Sequence, residues 1–323
     1  MAVLRLFVSD HSRLAGTSNE FKLAEELARA AMFLQAENGG IRMAPIGTYY
    51  HLQDIAPTLS DEEIAHQLDI RAKTVDGDNA EVPKETIKVG RLEYPPYHLW
   101  YYDEISIENN ISWYAAFRML DRLTGKPEYR QAMGRIEECL KSFWDPKQKI
   151  FYQGAHYTDG QWKPNKDPFA VDVQNLAIIV FGPKTIDSWF GEGASHEIWR
   201  SLKSLAGVFK IDGSLKGFGF TSEKDRISIE WTVSSILAAR ILVNYYQPSH
   251  SDWASEIKND AVNMRAGIEE YRFTVRPGEE AYSYSSMRRW IPFGWFSHGP
   301  EILSLASTAW VYLIDKGVNP FEL

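Results

Sequence analysis

The chain has 323 residues, 44% of them hydrophobic and 24% charged, with a net charge of −8. That length suits two small domains or one large core, and the acidic balance argues against nucleic acid or an anionic membrane surface as partner. No apolar run approaches the roughly 18 residues of a membrane span, and a single cysteine, Cys139, excludes an internal disulfide or a cysteine metal cluster.

The opening MAVLRLFVSD has too short an apolar patch for a signal peptide and no small-residue cleavage site after it. The expected location is cytoplasmic for the chain as it stands, or extracytoplasmic after loss of a leader. Periodicity then predicts a helix over 18–35, capped by Ser18 or Asn19 and stopped by Gly39-Gly40. The segment 50–98 is irregular: one helix pattern, SDEEIAHQL, and a charged stretch read as an exposed excursion. A helix over 108–125 ends in Thr-Gly, and Pro127 opens the next over 127–144, which makes an antiparallel hairpin. The Cys139 thiol falls within that second helix as core filler. VDVQNLAIIVFG (171–182) fits a helix or a strand. Helices follow over 195–209, 228–246, 251–272 and 300–317, with QPSH joining the third-last and second-last. Short Gly- and aromatic-rich segments between them fit β-hairpins. No linker divides the chain, so one domain over 1–323 is expected.

The helices alternate in character. Those at 108–123, 171–181, 228–246 and 300–316 are apolar nearly all round, whereas those at 20–36, 127–143, 195–206 and 251–271 carry a charged face. Buried helices alternating with wet ones predict two concentric layers, an all-α toroid whose inner-helix starts line one cleft. Glu108, Asp172 and Glu230 each open an inner helix, and "SIE" begins two of them. Glycosidic-bond hydrolysis uses two carboxylates, one protonated and one ionised, so these three are the candidate catalytic groups. The same acids also suit a first helical turn for the macrodipole alone. Aromatics form 13% of the chain, and flat rings beside polar groups suit the faces and hydroxyl edges of sugars. Trp100, Tyr102, Trp113, Trp231 and Trp295 are the expected platforms, with Asn110 and Gln174 as polar neighbours of the acids.

The segments IENNISWYAAFRMLDRLTGKPEYRQA, FAVDVQNLAI, SIEWTVSSILAARIL and STAWVYLIDKGVNPF resemble bacterial proteins of the six-hairpin glycosidase-like group. In that group a Glu-x-Asn, an Asp-x-Gln and a Trp- and Glu-containing segment open successive inner helices. The resemblance spans roughly 20–323 and implies an α/α barrel, a carbohydrate-active role, an oligo- or polysaccharide substrate, and Glu108, Asp172 and Glu230 as the matching positions. Six hairpins require twelve helices, and the sequence supplies nine or ten. The expected barrel is therefore short of its full set, beginning at an outer helix.

Other residues leave other readings open. Asp103 and Glu104 fit a second carboxylate or sugar-hydroxyl ligands, and equally solvated loop acids. Arg288 and Arg289 suit a uronate carboxylate or a phosphate, or a structural role on carbonyls and acids. His98, His156 and His298 lie in aromatic loops. One of them, or a nearby Tyr, would be the base of a polysaccharide lyase. A sugar epimerase and a non-catalytic glycan- or protein-binding scaffold complete the alternatives. GSLKGFGF lacks the Gly-Lys-Ser/Thr ending of a phosphate loop, and no histidine pair has metal-ligand spacing. No metal or organic cofactor is implied.

Overall fold

The structure, a computed structural model, describes residues 19–45, 49–50, 87–89, 92–94, 99–100, 104–293 and 295–322. For the short strands within 49–100 and for 295–296 it describes the backbone alone. Most of the expected 50–98 excursion, with its SDEEIAHQL helix, lies outside these residues, as do Tyr102, Asp103, His98 and the Ser18 cap.

Nine helices lie among the described residues. They are α1 (Asn19–Phe33), α2 (Ile107–Thr124), α3 (Pro127–Ser142), α4 (Val171–Phe181), α5 (Pro183–Phe190), α6 (Ala194–Ala206), α7 (Ile229–Tyr246), α8 (Ser251–Glu269) and α9 (Leu305–Asp315). The apolar helices α2, α4, α7 and α9 pack side by side in sequence, while α3 backs α2, α6 backs α4 and α8 backs α7. Every residue of α4 is buried, which resolves its ambiguous pattern: a helix covered on all sides has no polar face to mark it. The order outer–inner repeats as four pairs, α1–α2, α3–α4, α6–α7 and α8–α9. This is the α/α toroid with its short β-hairpins.

The connections differ at the two ends. Inner-to-outer links are tight, as at Gly125-Lys126 between α2 and α3, where Gly125 closes α2 at φ 68°, a left-handed conformation that glycine adopts without strain. Outer-to-inner connections are long and carry the β-segments, all at the opposite end. Antiparallel pairs join Gly207–Phe209 to Leu215–Phe218 and Arg272–Arg276 to Glu279–Ser283. The strand Glu104–Ser106, which leads into α2, pairs with the hairpin Gly154–Thr158/Gln161–Asn165.

Three boundaries differ from the sequence expectation. Residues 207–209 and 272 belong to strands rather than helix ends, and α9 starts at Leu305 because Leu303-Ser304 pairs with Tyr282-Ser283. The short helix α5 was not anticipated. It spans eight residues and buries only Pro183 and Ile186, too little periodic pattern to register.

A bonding pattern recurs at the β-bearing end and fixes how each inner helix begins. The N-cap residues Ser106, Ala170, Ser228 and Ser304 are all extended, with φ from −84° to −114° and ψ near 120°. Four residues after each cap, a polar side chain bonds the backbone of one residue in the loop preceding its helix, three of the four through both its N–H and its C=O. Asn110 accepts from Ile41 N at 2.7 Å and donates to Ile41 O at 3.1 Å. Gln174 does the same with Phe151, at 2.9 and 2.8 Å. Thr232 accepts from Phe218 N at 2.9 Å and donates to its carbonyl at 3.3 Å, and Thr308 accepts from Tyr282 N at 3.0 Å. Two residues beyond three of these gripped residues, the loop carbonyl takes the first helical amide of the preceding inner helix: Ile107 N to Gln153 O, Val171 N to Phe220 O and Ile229 N to Tyr284 O. Helix-start amides are otherwise orphan donors, so the ring of loops and the ring of helices hold each other. Among the described residues none takes the corresponding amide of Leu305, and there the repeat stops.

Candidate active site

The position two residues after each cap is acidic on three of the four inner helices. It is Glu108 on α2, Asp172 on α4, Glu230 on α7 and Ala306 on α9. Because the caps share one backbone conformation, the three carboxylates arrive at one level of the helix ring, with Glu108 beside Asp172 and its charge felt at Glu230. Asp172 is buried, while Glu108 and Glu230 keep a path to solvent. Asp172 and Glu108 are hydrogen-bonded to each other. Burial and then the Glu108 charge push the Asp172 carboxyl well above its usual range, although Val173 N donates to it at 2.9 Å. Glu108 is raised by the protein walls around it, an effect that the bond from Asp172 offsets in part. Of the two, Asp172 is the one pushed further toward its protonated form, because it is buried beside the Glu108 charge and two adjacent acids cannot both ionise cheaply. Glu230 is raised by burial and by the charge of Glu108, an effect that the nearby Trp310 indole on α9 offsets in part. Trp310 escaped the sequence reading as a site residue; its place one turn below an inner-helix mouth was the available signal.

The remaining expected residues divide. Trp231 stands partly open at the mouth, edge-on to Phe220 at 4.9 Å and tilted to Phe293 at 6.2 Å. Phe220 stacks on Tyr284 at 5.7 Å, and His298 meets the Tyr284 edge at 5.6 Å, so these rings form one wall beside Glu230. Trp113 stacks with Phe117 at 5.6 Å and is half-buried against the core. Asn110 and Gln174 are fully buried and their amides are spent on backbone, which makes them clamps of the helix mouths rather than groups open to a ligand. Arg289 is exposed and pairs with Asp225 at 3.3 Å, and Arg288 is exposed as well. The buried cation of that region is Arg226, held by Asp225, Glu223 and the Trp290 carbonyl. Glu104 and His156 face one another across paired strands. Tyr102 and Asp103 lie outside the described residues, as do the side chains of Trp100 and Trp295. No group of three metal-capable side chains and no helix long and apolar enough to cross a membrane occurs among the described residues.

Comparison with known proteins bears on the fold. No protein-family model matches the chain, and no curated protein does. Among solved structures it is similar to the unsaturated glucuronyl hydrolase of Bacillus sp. GL1, an enzyme described as responsible for degrading glycosaminoglycan. The TM-score is 0.57 at 12% identity, over 98% of this chain and 72% of that one. A variant of such a hydrolase, described with dGlcA-Glc-Rha-Glc, matches with the same values. At this identity the likeness establishes the six-hairpin glycosidase-like α/α toroid as the fold.

Proposed function

We propose that this chain is a carbohydrate-active enzyme that hydrolyses glycosidic bonds in the funnel of its toroid. The observation carrying this reading is the trio of carboxylates at the starts of three inner helices, two of them bonded to each other and the third apart. Burial and mutual repulsion push the Glu108–Asp172 pair toward holding a proton, and Glu230 stands apart as the group for an ionised role. Glu108 and Asp172 bond directly, far closer than the roughly 5–9.5 Å that separates the two carboxylates of a glycosidase. They act as one unit holding a single proton, which passes from Asp172 through Glu108, the solvent-reaching member, to the departing sugar oxygen; the proton that the attacking water loses to Glu230 returns to the pair through solvent before the next turnover. Glu230 is the group across the bond, as base for water or as nucleophile. The wall of Trp231, Phe220 and Phe293 takes the apolar face of a sugar ring.

A similar hydrolase variant on this fold is described with dGlcA-Glc-Rha-Glc, which supports an oligosaccharide as substrate here. A lyase would need a cation to neutralise a uronate carboxylate; of the two exposed arginines expected there, Arg289 pairs with Asp225 at 3.3 Å and Arg288 is the other. Product chemistry decides between these routes. A hydrolase generates a new reducing end for each bond cut with no gain in absorbance near 235 nm, whereas a lyase gives one unsaturated uronate per cut. Absorbance growth in step with cleavage would overturn the proposal.

A further inference from the structure

Two surfaces on the flanks of the molecule belong to neither the funnel nor the core, and they complement each other. The first is a trough of about 930 Å³ between α7 and α8. Ile236 and Val243 of α7 and Ala261, Val262 and Ala266 of α8 give it an apolar floor. It adjoins the last turn of α9, an 11-residue helix beside the 18-residue α7. Arg240 donates to Ile314 O there at 2.7 Å, and Arg265 pairs with Asp315 at 3.0 Å. Past that turn the sides of α7 and α8 stay open, and Val262 is 60% exposed. Glu269 at one end of the trough is neutralised by Arg265. Arg240 on the α7 wall and Lys258 on the α8 wall are in no ion pair among the described residues.

The second surface is the outer face of α1. Phe21, Ala28 and Ala31 turn into the core, which leaves Leu23, Leu27, Ala30 and Phe33 together on the opposite side at helical spacing. Leu23 and Leu27 are each 52% exposed and Phe33 85%, whereas an outer helix ordinarily turns its charged face to water. The helical repeat places Glu20 on one side of this stripe and Glu26 on the other, both exposed and in no ion pair among the described residues.

We propose that α1 of a second copy of this chain seats in the α7–α8 trough, with its leucine stripe on the apolar floor and Glu20 and Glu26 against the two basic walls. The lengths agree: at 1.5 Å per residue, Leu23 to Phe33 covers roughly 15 Å, and Ile236 to Gln247 or Lys258 to Glu269 roughly 16 Å. Both surfaces are apolar at the centre and charged at the rim, with opposite signs, the layout of a specific interface. On a chain of net charge −8, one unpaired cation on each wall of a trough is a local exception, and it selects a helix flanked by acids. One copy gives the helix and the next gives the trough, so the contact is head-to-tail. It is independent of the chemistry proposed for the funnel.

Sedimentation velocity of the full chain over a concentration series tests this, with Leu27→Glu in the stripe and Val262→Glu in the trough. Both side chains are exposed, so both variants should fold, which their circular dichroism melts verify. The expected result is self-association by the wild type that weakens at least ~100-fold in either variant, because each puts an unpaired charge into the apolar centre of the contact. Mixing the two variants should restore association as a 1:1 pair, since the first keeps an intact trough and the second an intact α1. A wild type that stays monomeric at its highest soluble concentration overturns the proposal. So does association that survives either substitution: α1 packed on α1 would survive Val262→Glu, and trough on trough would survive Leu27→Glu. A mixture that forms no 1:1 pair overturns it as well.

Discussion

Asp172 shows most directly how a local arrangement carries a cost. A carboxyl whose native pKa is raised binds its proton more tightly when folded, so stability is lost as pH rises from the unfolded value near 4 toward the native one. Asp172→Asn removes that loss. The amide oxygen can still accept from Val173 N, and the amide N–H₂ can donate to Glu108 as the acid proton did. We expect the variant to melt near wild-type temperature at pH 4 and above it at pH 7–8, by a stabilisation of roughly 0.5–2 kcal/mol typical of relieved functional sites. Thermal denaturation at the two pH values checks this, and equal shifts at both would count against a buried, protonated Asp172. The clamps obey the opposite logic. Gln174→Ala leaves both backbone polar atoms of Phe151 unpaired in the core, at a cost of about 2–4 kcal/mol, measurable by urea unfolding. The sequence displayed the acids and amides of these mouths, but not that the amides serve backbone. Their partners lie 69 residues away for Asn110 and 23 for Gln174, a separation that no local pattern encodes.

At the level of elements, the alternation of all-apolar and amphipathic helices was legible because burial on all sides and burial on one side leave different periodicities. The elements that were missed, such as α5 and the strand before α9, are short and owe their form to neighbours. Outer helices carry their own devices. On α6, His196 is buried with both ring nitrogens lacking a hydrogen-bond partner, its face 4.1 Å from Trp253 of α8, which has His250 at 4.1 Å as well. Burial lowers the His196 pKa. The unfolded chain therefore takes up a proton there that the native state refuses, and stability falls as pH drops through about 6.5. His196→Phe preserves the stack but cannot titrate, so its unfolding free energy should fall less between pH 7 and 5 than that of the wild type. Identical pH slopes would remove His196 from the account. The packing of α8 on the strand Leu215–Phe218 depends on Gly267, where an added Cβ would meet the Lys216 carbonyl. Gly267→Ala should cost about 1–3 kcal/mol through overpacking, despite the better helix propensity of alanine. A chemical denaturation midpoint at or above wild type would show that the strand yields instead.

For the whole molecule, the long connections all gather at one end of the toroid and the tight ones at the other. Among the described residues the three acids stand at the end that carries the long connections. Chain order predicted it, since every outer-to-inner connection was rich in Gly, Asp and aromatics. Trp310 is a case the sequence could not disclose. It stands 80 residues after Glu230, and only the return of α9 beside α7 brings the two together. Four outer–inner pairs lie among the described residues, and at α9 the interlocking bonds end with Leu305 largely exposed.

The central claim is that Glu108, Asp172 and Glu230 perform acid–base work on a sugar. The measurement that tests it most directly is reducing-end release from a panel of plant, bacterial and algal glycans, comparing the wild type with Glu108→Gln, Asp172→Asn and Glu230→Gln, each checked for native folding. The account predicts release by the wild type that falls at least ~100-fold in Glu108→Gln and Glu230→Gln, the contribution expected of positioned acid–base groups, with a smaller loss in Asp172→Asn. Release that persists at the wild-type rate in all three folded variants would contradict it, and the acids at the helix mouths would then be caps and nothing more.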